Sequence, residues 1–67
     1  MTITLAEVHA RLEIIRRFTG NDEVSHIAED ALWKDVLIVI AEGAPNAEDL
    51  ARAALETQQI DFSRWYA

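Results

Sequence analysis

No cysteine occurs in this chain, which excludes disulfides and thiolate metal sites as the staples that often hold small domains together. Such a composition fits a reducing cytoplasm. Only two glycines and one proline interrupt 67 residues, so there is little to break regular structure. With 51% hydrophobic residues, the composition is also not that of a disordered chain. The longest aliphatic run, Val36 to Ala41, is far shorter than the roughly 20 residues needed to span a bilayer. The N-terminus shows no basic start leading into a long apolar stretch, so no signal peptide is expected. Residues 1–67 read as one domain, near the lower size limit for folding alone, where a partner is a common source of stability.

Positive charge is scarce as well. Six basic residues stand against twelve acidic ones, a net charge of −6. The imbalance is concentrated in residues 21–43, where Asp22, Glu23, Glu29, Asp30, Asp35 and Glu42 face Lys34 alone and leave −5. Such a stretch repels phosphate, so direct nucleic-acid binding is not expected. A helix-turn-helix reading of residues 22–59 fails for the same reason. Its would-be recognition helix carries Arg52 among Glu48, Asp49 and Glu56.

What is present reads as helix. Thr4-Leu5-Ala6-Glu7 is a capping-box pattern, and Leu5, Val8, Leu12 and Ile15 follow at helical spacing. Arg16 and Arg17 suit a C-terminal turn, and Gly20 offers a left-handed stop. The first helix is predicted over about 5–18. Asn21 or Asp22 can cap a second helix, in which Val24, Ile27, Ala28, Ala31, Leu32, Ile38 and Val39 form one broad apolar face. Gly43 and Pro45 end it. Val36-Leu37-Ile38-Val39-Ile40 also has the β-branched character of a buried strand. Its only pairing candidate is the short Thr2–Leu5 segment, so a continuous helix over about 22–42 is favoured. Asn46 before Ala47-Glu48-Asp49 opens a third helix, about 47–59, with a narrow alanine-rich face. The closing Asp61-Phe62-Ser63-Arg64-Trp65-Tyr66 is too aromatic for an idle tail, and Phe62 and Trp65 are expected to cover the core. The fold class is therefore all-α, a three-helix bundle with a C-terminal aromatic segment packed on it. Leu12, Ile27, Leu32 and Leu50 are its expected centre.

Candidate chemistry is sparse. Glu23-Val24-Ser25-His26 has the Glu-x-x-His spacing of di-iron carboxylate bundles, which need two such motifs and two further glutamates. One copy is present, so a metal-binding or enzymatic dimer built on Glu23 and His26 is an alternative reading rather than the leading one. His9 and Glu13 form an i,i+4 surface pair. Ser25 and Ser63 have no base that sequence can place beside them. No catalytic residue and no cofactor are assigned. An acidic inhibitor that imitates nucleic-acid charge is a further alternative. Asp35 falls within the apolar arc and calls for a cation, with Arg16 and Arg64 as candidates.

The leading reading is protein–protein interaction, most simply homodimerisation, with a small regulator or inhibitor as the role that suits it. Trp33, Val36, Leu37 and Ile40 repeat at i, i+3, i+4, i+7 on the far side of the second helix. Ile14 and Phe18 likewise point away from the stripe of the first. These six are the expected partner-binding residues, either for a second copy or for another protein; burial of the second stripe by the third helix and the tail is the competing structural account.

The segment from Ala51-Arg52-Ala53-Ala54-Leu55-Glu56 through Asp61-Phe62-Ser63-Arg64-Trp65 resembles the C-termini of small uncharacterised bacterial and prophage-type helical proteins. The resemblance covers the last third of the chain. It implies a bacterial or phage setting and a cytoplasmic location, and it brings no activity and no functional residues.

Overall fold

The computed structural model describes residues 2–64. Among them are three α-helices and no strand: α1 (Leu5–Arg17), α2 (Asp22–Ala41) and α3 (Ala47–Leu55), the last running into a 3₁₀ turn, Glu56–Gln59. Each helix packs against both of the others. The Val36–Ile40 run is thus helical throughout. Among the described residues no helix is long and apolar enough to cross a membrane.

Local chemistry accounts for most of the boundaries. The Thr4 hydroxyl accepts the Glu7 backbone N–H at 3.1 Å, which satisfies one of the orphan donors of α1. Ile3 and Val8 occupy the two positions of a hydrophobic staple around that cap, and both are buried. The 2–5 segment is therefore a helix entry and not a strand. Asn21, rather than Asp22, caps α2, its Oδ1 accepting the Val24 N–H at 3.2 Å. At the other end of α2, Gly43 adopts φ +94°. The Gly43 N–H donates to Ile40 O and the Ala44 N–H to Val39 O, both at 3.0 Å, the bond pair of a Schellman motif. Gly20 does not play that part in α1. Its φ is not positive, and the chain turns instead through Thr19 N–H to Arg16 O and Asn21 N–H to Phe18 O.

The core gathers Ile3, Val8, Leu12, Ile15, Leu32, Val36, Val39, Leu50, Ala53, Ala54, Ile60 and Phe62. Leu12, Leu32 and Leu50 lie at its centre, as expected. Ile27 does not: it is 60% exposed. The buried line of α2 is Ser25, Glu29, Leu32, Val36 and Val39, so the helix is rotated from the face centred on Val24, Ile27 and Ala31. The physical reason is that two polar residues on this line find partners. The Ser25 hydroxyl donates to Phe18 O at 2.7 Å, tying the end of α1 to the start of α2. The Glu29 carboxylate is gripped by Arg64, with Nε 3.1 Å from both of its oxygens.

Arg64 also donates from Nη2 to Thr57 O and Ile60 O and stacks its guanidinium 3.9 Å from the Phe62 ring centroid. Trp33 does similar work one turn earlier. Its indole N–H donates to Ala54 O and Thr57 Oγ1, both at 3.1 Å. Carbonyls that a helix end leaves without partners are thus satisfied by α2 and by the tail. The third helix accordingly stops its α-helical run at Leu55 and tightens into the 3₁₀ turn, short of a uniform helix to residue 59. Phe62 is buried; Trp65, expected beside it, lies outside the described residues, as does Tyr66.

Candidate interaction surface

The six residues singled out as partner-binding divide between two surfaces. Trp33, Val36, Leu37 and Ile40 line a groove closed on its other side by Ala51, Ala54 and Leu55 of α3. The groove is open, holds about 270 Å³, and is walled almost wholly by carbon. Its shape follows from the alanines: Ala51 and Ala54, three residues apart, make a low wall beside the large side chains of α2. Val36 belongs to the core beneath it, and Trp33 and Ile40 are half-buried. The outer stripe expected on α2 is therefore partly taken up inside the monomer by α3. Leu37 and Leu55 remain proud of the rims, 64% and 52% exposed.

Ile14 and Phe18 are exposed too, but on the other flank of α2. They follow Arg11 by three and seven residues and so share its side of α1. Arg11 Nη1 donates to Asp35 Oδ2 at 2.7 Å, which places that side against α2. Val24 and Ala31, which lie eleven and four residues before Asp35, share its side of α2 and are likewise exposed. The bridge to Asp35 comes from Arg11 and not from Arg16 or Arg64: Arg16 pairs with Glu13 at 2.5 Å, and Arg64 with Glu29. Glu13 thus has a partner other than His9.

Four of the six basic side chains, Arg11, Arg16, Arg52 and Arg64, are held in ion pairs. Arg52 Nη2 lies 2.6 Å from Glu48 Oε1. Arg17 and Lys34 are the basic residues that form no ion pair among the described residues.

The residues considered for catalysis or metal binding are not brought together. Glu23 is exposed at the start of α2, while the largely buried His26 has Nε2 3.6 Å from Asp30 Oδ2. Among the described residues no group of three or more His, Asp or Glu side chains could hold a metal ion. The Ser25 hydroxyl is committed to a backbone carbonyl. At Ser63 it is the backbone N–H that bonds, to Asp22 Oδ1 at 3.2 Å. A larger depression of about 370 Å³ lies under the α2–α3 loop, lined by Thr2, Ile3, Val39 and residues 42–46. Among the described residues that line it, Glu42 is the one charged side chain.

Sequence reasoning missed the Glu29–Arg64 clasp, the Trp33 cap, the Ser25 bond to Phe18 O and the choice of Arg11 as the partner of Asp35. One signal was readable: Glu29 precedes Leu32, Val36 and Val39 by three, seven and ten residues, on a single helical line. Comparison with protein-family models, with curated proteins and with solved structures finds no match to this chain.

Proposed function

We propose that this chain is a small protein-interaction module whose partner is a second copy of itself. The observation that carries the reading is the placement of its exposed large hydrophobics. Leu37, Ile27 and Val24 lie along α2, with Leu55, Ile14 and Phe18 on the helices flanking it. Scattered apolar side chains are ordinary on a monomer; a set gathered along one helix and its two neighbours marks a contact surface. A symmetric dimer covers such a surface most economically, because a two-fold interface uses one patch twice.

In this reading residues 61–64 belong to the scaffold and not to the contact surface. Phe62 is buried and Arg64 is locked on Glu29, which supports residues 61–64 acting as a cover over the end of α2 that carries Ser25 and Glu29. The acidic surface serves solubility and limits association through other faces.

Sedimentation velocity from micromolar to millimolar protein tests the reading. Wild type is expected to move from monomer to dimer across that range. Leu37→Asp is the informative variant, because Leu37 is exposed and its change leaves the core alone, whereas Trp33 and Ile40 also serve the monomer. The variant should remain monomeric with an unchanged helical spectrum. Wild type that is monomeric at millimolar concentration overturns the reading.

A further inference from the structure

The outermost line of α2, opposite its buried line, is Glu23, Ile27, Asp30, Lys34, Leu37 and Ala41, and all six are exposed. The steps between them alternate four and three residues, the spacing of a coiled-coil seam. The positions of the line are symmetric about the level of Leu32. Ile27 and Leu37 stand five residues to either side of it, and Asp30 and Lys34 two residues to either side. We infer that α2 pairs antiparallel with α2 of a second copy about a two-fold axis at Leu32, setting Asp30 against the partner's Lys34 and Ile27 against the partner's Leu37. The inference rests on the self-association proposed above and adds to it the face, the direction and the register.

Charge selects the direction. A parallel pair in register would oppose Asp30 to the partner's Asp30 and Lys34 to the partner's Lys34, and like charges held together in an interface are disfavoured. The antiparallel pair turns both into opposite-charge contacts, made twice by symmetry. Lys34 is the only lysine of the chain and forms no ion pair within the described monomer. Two chains of charge −6 repel one another on average, so a face that offers the acid of one copy an unpaired cation of the other is favoured over acidic faces. Apolar contact then supplies the attraction. Ile27 and Leu37 are the two most exposed large hydrophobics described, about 15 Å apart along the helix at 1.5 Å per residue. They bracket the two ion pairs at both ends of the seam. One helix pair buries less than the roughly 1,200 Å² of a tight complex, so the dimer is expected to exchange with monomer at about micromolar concentrations or above.

The test combines a charge exchange with cross-linking. Lys34→Asp alone and Asp30→Lys alone should each weaken dimerisation about tenfold or more, measured by sedimentation equilibrium. The double exchange Asp30→Lys with Lys34→Asp should restore it. All of these positions are exposed, so helical content and monomer melting serve as controls. Because the chain has no cysteine, Ile27→Cys and Leu37→Cys variants can be mixed and oxidised. Cross-linking between the two variants should outrun linking of either to itself, since a disulfide needs Cα atoms within about 7 Å. A wild-type dimer that ignores the single exchanges, or in which each cysteine variant links to itself, overturns this arrangement while leaving self-association standing. A dimer lost on Leu55→Asp but not on Lys34→Asp assigns the contact to the α2–α3 groove instead. Wild type that stays monomeric at millimolar concentration overturns both.

Discussion

Replacing Arg64 by methionine should destabilise the fold more than replacing Arg64 and Glu29 together. The Glu29 side chain is 4% exposed and that of Arg64 34%. Removing the cation leaves a carboxylate buried without its partner, a change that costs about 3–5 kcal/mol when both groups are fully buried. Water reaches Arg64, which weakens the pair, so about 2–3 kcal/mol is the expected loss. A domain of this length has about 3–10 kcal/mol of stability in total. The same loss lowers the melting temperature by roughly 10–20 °C, at about 4–8 °C per kcal/mol for small domains. Converting both residues to methionine removes the uncompensated charge. What then remains is the loss of the Arg64 bonds to Thr57 O and Ile60 O, at about 1 kcal/mol each. That loss is offset in part by the apolar surface gained along the line of Leu32 and Val36. Thermal unfolding followed by far-ultraviolet circular dichroism, with urea titration for the free energies, completes a double-mutant cycle. If Arg64→Met melts like wild type, or the double variant is worse by the sum of the singles, the clasp does not hold the C-terminal segment in place.

Three further outcomes follow from the core and the caps. Leu12→Ala or Leu50→Ala should each cost about 2–5 kcal/mol in urea titration, because both side chains are fully enclosed. Trp33→Phe should cost about 1–2 kcal/mol on the same measure, since the ring remains but the indole N–H that satisfies Ala54 O and Thr57 Oγ1 is lost. The two glycines should separate in a melting experiment. Gly43→Ala forces a Cβ onto φ +94° and should lower stability by about 1–2 kcal/mol, whereas Gly20→Ala, with open space around the added carbon and no positive φ, should be neutral or slightly stabilising.

Local signals in the sequence were enough for the helices and most of their ends. The Thr4 cap, the Asn21 cap and the Gly43 stop each depend on residues within one turn of the boundary. A short-range hydrogen bond or a single φ decides them wherever the segment goes. The all-helical class likewise follows from spacing, and Leu12, Leu32 and Leu50 are buried because each sits in the middle of an apolar stripe. The rotation of α2 was beyond reach of the same signals. That helix is apolar on nearly every side, so burial of hydrophobic area alone is almost indifferent to which side faces inward. Polar residues with distant partners break the tie. Ser25 finds a carbonyl seven residues away, and Glu29 finds an arginine thirty-five residues away. Those two bonds turn Ile27 outward and carry Val36 into the core. The candidate surface was legible in part for the same reason: Leu37, Ile14 and Phe18 could be read as outward from their spacing. Ile27, Asp30 and Lys34 became a surface line only once tertiary contacts had chosen the inner one. Only the tertiary structure could decide that choice, because the energy that decides it resides in contacts between residues far apart in the chain.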